Sequence, residues 1–141
     1  MLQNRTPAQI YALVFGVVLV VAGIIGFFYS SSFDSPGDVD DVFGILSVNG
    51  WHNVVHIVTG ALGLAALGYG ARYYAGGLGI VYIIVAIWGF IIGDGESILS
   101  FLPVNTEDNV LHLLIGLAGL GAYAASAPRT AQPATPGGAP A

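Results

Sequence analysis

The sequence predicts an all-α fold: an integral membrane four-helix bundle made of two tandem two-helix hairpin repeats. Apolar residues make up 55% of the chain and charged residues only 8%, with a mean hydropathy of +0.80, far from the balance of soluble domains. A polar pattern that contains Asn and His occurs twice. Four windows without a charged side chain each reach the roughly 20 residues that a spanning helix needs, and they cover residues 6–33, 42–71, 73–93 and 109–128.

These windows predict four membrane spans and one tail. The first window is longer than the roughly 7 to 15 residues of a signal-peptide core, and no Ala-x-Ala cleavage site follows it, so we interpret it as a retained span. Residues 127–141 are rich in Pro, Ala, Gly and Thr, which predicts a disordered tail after a membrane domain of residues 1–126. The predicted spans cover about 8–29, 51–71, 75–93 and 108–126.

Charge predicts the orientation. Arg5, Arg72 and Arg129 fall in the N-terminal segment, the second loop and the tail, which four crossings place on one side, and all eight acids fall on the other side. The positive-inside rule therefore predicts a multi-pass protein of the bacterial plasma membrane with both termini in the cytoplasm. No basic surface exists for nucleic acid. The absence of cysteine excludes disulfides, thiolate metal sites and cysteine nucleophiles.

The second and fourth spans carry the duplicated pattern. Residues 48–64 read "VNGWHNVVHIVTGALGL" and residues 104–120 read "VNTEDNVLHLLIGLAGL", so matched Asn, His and Gly residues recur at an offset of 56. The first and third spans match more weakly at an offset of 63, which gives repeat halves of about 8–73 and 75–126. Each half holds two spans, so a pseudo-twofold axis along the membrane normal should relate them.

The repeated residues predict how the helices pack. At about 100° per residue they fall on one face of each helix, and small residues allow close approach of helices in lipid. We therefore expect the second and fourth spans to pack face to face at the centre, with the first and third outside them. The predicted packing residues are Gly60, Gly63, Gly116 and Gly119.

Two short apolar stretches precede the repeated motif. They read "VFGILSV" and "ILSFLPV", and we expect them to lie along the membrane interface or to re-enter it slightly. The next helices are expected to be capped by Asn49 or Gly50 and by Asn105 or Thr106.

A structural role is the first interpretation of the polar face. Asn side chains at 49, 53, 105 and 109 and the neighbouring histidines would hydrogen-bond between the two helices, each bond contributing roughly 0.6 to 2 kcal/mol in a membrane. The chain would then be a structural or accessory protein. Its partners would be the lipid bilayer and, through exposed apolar faces, other membrane proteins or a second copy of itself.

A divalent metal site is the alternative. His52 and His56 lie four residues apart on one face, as do Asp108 and His112 on the partner. Three histidines and one aspartate suit zinc or a similar ion. Asn53 and Asn109 would then orient the imidazoles from outside the coordination sphere.

Two further alternatives use the same residues. His56 and His112 could be axial ligands of a b-type haem, although the acidic side offers no Arg or Lys for the propionates. The cluster could also relay protons or a small solute. No serine has a recognisable base beside it, so the sequence does not indicate an enzyme.

The motif resembles a known family. The segments "HNVVHIVTGALGL" and "DNVLHLLIGLAGL" share Asn-x-x-His, carried by Asn53 with His56 and by Asn109 with His112. They are similar to the DUF4383 group of small bacterial membrane proteins, common in actinobacteria, over roughly residues 4–126. The resemblance implies a four-helix plasma-membrane protein and supplies no activity or catalytic residue.

Overall fold

Four helices and two short β-hairpins form the computed structural model, which describes residues 5–34 and 38–127. Most of the predicted tail, residues 128–141, lies outside the described residues. The elements in chain order are α1 (Pro7–Gly26), β1 (Asp40–Val42), β2 (Leu46–Val48), α2 (Gly50–Ala65), α3 (Ala71–Ile92), β3 (Ser97–Ile98), β4 (Leu102–Pro103) and α4 (Thr106–Ala125).

Three of the described helices, α1, α3 and α4, are long and apolar enough to cross a membrane. They contain 20, 22 and 20 residues. The helix α2 has only 16 residues, about 24 Å at 1.5 Å per residue, which is short of the roughly 30 Å hydrocarbon core. The predicted span 51–71 is therefore wrong in extent: α2 ends at Ala65, and a turn with Gly68 and Gly70 leads directly into α3, because glycine is a poor helix former.

Each of the two asparagines that precede the repeated helices caps its helix. The side chain of Asn49 accepts a hydrogen bond from the backbone N–H of His52 at 2.9 Å. The side chain of Asn105 accepts one from the backbone N–H of Asp108 at 2.8 Å. These bonds satisfy a free N–H at the first turn of each helix, so α2 and α4 begin at equivalent points of the motif.

The short apolar stretches before these caps fold into β-hairpins. Their location along the membrane interface stays a prediction. In the first hairpin Val42 pairs with Leu46, and in the second Ile98 pairs with Leu102. The turns depend on positive φ angles at four residues, of which three are not glycine: Phe43, Gly44, Leu99 and Ser100. Paired strands satisfy backbone groups that a flat apolar segment would leave unpaired in a membrane.

The helices pack mainly as two antiparallel pairs, α1 against α2 and α3 against α4. Helix α1 also contacts α3 and α4. The helices α2 and α4 do not pack along their lengths, so the predicted face-to-face arrangement of the second and fourth spans is wrong. The buried apolar core comes from α1 and α3, which therefore lie at the centre and not outside. Its members are Ala8, Tyr11, Ala12, Leu19, Ala71, Ala75, Leu78 and Tyr82.

The predicted glycines do lie at close helix contacts, but with other partners. A Cβ atom on Gly60 would lie 2.7 Å from the Gly16 carbonyl oxygen of α1. A Cβ atom on Gly116 would lie 2.9 Å from the Gly79 carbonyl oxygen of α3. Gly63 faces Tyr74 and Gly119 faces the Ala75 carbonyl, so these two positions also approach α3. The glycine faces of α2 and α4 are therefore occupied by α1 and α3 and not by each other.

The substitution Gly60→Ala tests this close approach. Its methyl group would overlap backbone atoms of α1, which can move only if the helices separate, so the free energy of unfolding should fall by about 1–3 kcal/mol. Unfolding by SDS in mixed micelles measures this.

Gly77→Ala is the matched control, since nothing lies within 4 Å of a Cβ at Gly77. It should leave stability unchanged or raise it by up to about 1 kcal/mol through better helix propensity. Equal losses in the two variants would contradict the packing described.

Candidate metal centre

Three imidazoles from two helices meet at the end of the bundle that carries the β-hairpins. His52 and His56 come from α2 and His112 from α4, and one nitrogen of each lies within 4.8 Å of the others. The ring centroids of His52 and His56 are 4.5 Å apart, and those of His52 and His112 are 6.1 Å apart. The structure therefore brings together all three histidines of the chain.

The first hairpin fixes the His52 ring. Its Nδ1 lies 2.9 Å from the Ser47 carbonyl oxygen of β2. A carbonyl accepts only, so Nδ1 carries the proton. The Pro103 carbonyl of β4 also approaches this ring, so strands from both hairpins enclose it. The ring is 4% exposed, which holds it in one orientation.

His112 is buried with an unused nitrogen. The side chain is 6% exposed, and its Nδ1 finds no hydrogen-bond partner within the described part of the chain. The ring packs edge-on against Tyr82 of α3, with centroids 4.9 Å apart. A buried polar atom without a partner costs about 1–3 kcal/mol. A bound ligand at this cluster could remove that cost.

Asp108 does not join the three histidines, in contrast to the predicted four-ligand set. Its Oδ2 accepts a hydrogen bond from the Ser47 backbone N–H at 3.0 Å, and the group of potential ligand atoms contains imidazoles only. The carboxylate takes this partner because β2 passes beside the first turn of α4. Asp108 therefore ties the first hairpin to α4.

Asn49 and Asn105 connect the two halves reciprocally. The Asn49 amide donates to the Phe101 carbonyl at 2.7 Å, and the Asn105 amide donates to the Ile45 carbonyl at 2.7 Å. Each asparagine thus caps its own helix with its oxygen and binds the turn of the other hairpin with its nitrogen. The hydrogen bonds that we predicted for Asn49 and Asn105 between the two helices therefore run to the turns of the β-hairpins. We interpret the matched contacts as the result of a tandem duplication.

Asn53 and Asn109 lie away from the imidazoles, inside the two helix hairpins. Asn53 donates to the Ser30 carbonyl at 2.8 Å. Its amide oxygen lies against Gly26, and the amide oxygen of Asn109 lies against Gly89, where a Cβ would overlap it. Asn53 therefore packs α2 against α1, and Asn109 packs α4 against α3. Among the described residues, neither asparagine makes the predicted contact that would orient an imidazole.

A cavity of about 140 Å³ adjoins the three histidines. Besides the imidazoles, its polar lining consists of Thr59 and Tyr82, and the other walls are apolar. The sequence did not indicate Tyr82 or the Ser47 carbonyl as parts of the site. A tyrosine within an apolar span is a weak signal, and a backbone carbonyl gives none.

The three apolar helices and the buried polar cluster define an integral membrane protein. The chain belongs to the DUF4383 family, a domain of unknown function, whose family model matches residues 9–125. The resemblance predicted from the repeated motif is thereby confirmed. Comparison with curated proteins finds no match, and comparison with solved structures finds none.

The reciprocal hydrogen bonds are tested by Asn49→Asp and Asn105→Asp. Aspartate keeps the capping oxygen but replaces the N–H donor with an oxygen facing a carbonyl. Each variant should lower the free energy of unfolding by about 1–3 kcal/mol, measured by SDS titration in mixed micelles.

Glu107→Gln serves as the control because this exposed acid lies on the same first turn of α4. It should change stability by less than about 0.5 kcal/mol. Aspartate variants as stable as this control would show that the amide bonds contribute nothing.

Proposed function

We propose that this protein is a bacterial plasma-membrane protein that binds a divalent transition-metal ion of the zinc type through His52, His56 and His112. One observation carries the proposal: three imidazole nitrogens converge within 4.8 Å in a buried site. Imidazole is a preferred ligand of zinc, copper, iron and nickel. We also propose that both termini lie in the cytoplasm, with the short helix α2 crossing where the bilayer is locally thinned, which puts the site near the outer face.

The geometry needs only small adjustment to hold an ion. Zinc–nitrogen bonds are about 2.0–2.1 Å, which places the nitrogens of a tetrahedral site roughly 3.4 Å apart. His52 and His112 are buried and held by neighbours, whereas His56 is half-buried. Rotation of the His56 side chain would bring its nitrogen closer to the other two imidazoles, and a small rotation of the His52 or His112 ring would close the remaining distance between that pair.

The fourth coordination position would face the adjoining cavity. Three protein ligands with one open position are typical of catalytic zinc sites, and four protein ligands are typical of structural ones. The walls offer no carboxylate or thiol to close the site. A water or small ligand would take this position. The acidic residues of loops one and three would raise the local cation concentration.

The structural role is the main competing function. In that case the imidazoles would only pack α2 against the end of α4, and the protein would support or dock another membrane protein. The reciprocal asparagine bonds favour such a role because they join the two halves without any metal.

Haem and relay functions have less support. A haem between His56 and His112 needs space for a flat macrocycle, but the His52 ring lies against both of these rings. The adjoining cavity of about 140 Å³ is too small for a porphyrin. A relay needs a polar path beyond the histidines, and the cavity walls are mainly apolar.

Zinc stoichiometry tests the proposal. Protein purified in detergent without chelator and dialysed against ZnCl₂ should hold about one zinc per chain, and His112→Gln should hold almost none by elemental analysis. Zinc should also raise the unfolding midpoint of the native chain. At a zinc concentration 100 times its Kd, the free energy of unfolding should increase by about 2.7 kcal/mol. No such rise should occur in His112→Gln.

Two further variants sharpen the result. Glu107→Gln removes an exposed acid at the same end and should keep full zinc stoichiometry. Asp108→Asn should keep it too, because the Asp108 carboxylate lies outside the cluster. Loss of zinc in Asp108→Asn would show a four-ligand site, and no zinc in the native chain would overturn the proposal in favour of the structural role.

A further inference from the structure

A second cavity, of about 350 Å³, lies between the outer face of α1 and the first β-hairpin. Its walls are valine, alanine, isoleucine, leucine and phenylalanine side chains from α1, β1, β2 and the turn between these strands. His56 and Asp108 are the two polar side chains that line it. We call this cavity the α1 groove.

The α1 groove opens toward lipid. Val17, Val18 and Val21 line it and are 46%, 47% and 46% exposed, and they belong to a helix long and apolar enough to span a membrane. A ligand would therefore enter sideways from the bilayer. Its apolar part would replace lipid along α1, which favours a molecule with a long hydrocarbon tail.

The polar end of the α1 groove selects against anionic head groups. His56 comes from α2 and Asp108 from α4. Among the described residues, the cations Arg5 and Arg72 lie at the opposite end of the bundle, before α1 and at the start of α3. A phosphate or carboxylate head would meet the Asp108 carboxylate without a countercharge, at a high cost in desolvation and repulsion. The head group that fits is neutral.

Hydrogen bonding narrows the head group further. A neutral imidazole can donate to a carbonyl or accept from a hydroxyl, and a carboxylate can accept from a hydroxyl. Two such side chains from different helices suit a head that carries more than one oxygen. Phe43, 72% exposed on the hairpin turn, offers an aromatic wall for a flat ring.

We propose that the α1 groove binds an isoprenoid quinone or its quinol. A quinone carbonyl would accept a hydrogen bond from His56, whereas the hydroxyl groups of the quinol would donate to His56 and to the Asp108 carboxylate. The isoprenoid tail would lie along the valines of α1. This binding does not rest on the metal site. The two cavities share His56 alone among their lining side chains, so each can be tested without the other.

The test is a binding titration with the full chain in phosphatidylcholine nanodiscs treated with chelator. Decylubiquinone is the probe, and its quinol forms a second arm. Saturable binding of about one molecule per chain is expected. Val21→Trp, which fills the α1 groove, should weaken binding by about tenfold or more.

Val14→Trp is the matched control. Val14 and Val21 lie on the same helix and are both 46% exposed, but Val14 does not line the α1 groove. Its substitution should change the affinity by less than about twofold. Equal loss in both variants, or no saturable binding to the native chain, would overturn the proposal.

Two probes of equal tail length test the head group. Decanoate should not compete with decylubiquinone, because its anionic head meets Asp108. Decanol should compete weakly, since it offers one oxygen and no ring. Equal competition by decanol would show a groove for any neutral amphiphile and overturn the assignment to quinones.

His52→Gln separates this proposal from the metal site. His52 lines the smaller cavity but not the α1 groove. This variant should lose zinc and keep decylubiquinone affinity within about twofold, provided that His56 stays in place. Loss of both ligands would show that the α1 groove depends on the metal centre.

Discussion

The two reciprocal asparagine hydrogen bonds are the constraint on which the functional end of this molecule depends. Asn49 and Asn105 each bind the turn of the opposite β-hairpin, while their oxygens start the helices that carry the histidines. The caps fix where α2 and α4 begin, and the amide bonds fix how far apart those starts are. Because His52, His56 and His112 follow within one or two turns, their imidazoles converge although the helices do not pack along their lengths.

Helix packing is handled by other residues. Apolar burial gives little drive for association in lipid, so close backbone contact must supply the attraction. Gly60 against α1 and Gly116 against α3 provide it within each hairpin. Small and aromatic side chains of α1 and α3 then form the core between the hairpins. This division leaves the start of α2 free to present polar side chains to two cavities.

The position of His56 links the two proposals chemically. It lines both the cavity beside the imidazole cluster and the α1 groove. A metal ion would draw its ring toward His52 and His112, and a head group in the α1 groove would draw it toward Asp108. The half-buried His56 ring is therefore the one member of the cluster with room to respond to either ligand.

The sequence alone determined the apolar character of the helices and the family, because each follows from local pattern. It did not determine the partners of the repeated residues. A stripe of glycines indicates which face of a helix packs closely, but not which helix packs against that face. Here α1 and α3 pack against the glycine faces of α2 and α4. Asp108 shares a helix face with His112, yet a strand N–H that comes from 61 residues away takes its carboxylate. The positive φ angles at Phe43 and Leu99 are likewise set by strand pairing and not by residue type. Only the tertiary structure decides such contacts, because they depend on the relative placement of helices and hairpins that are distant in the chain.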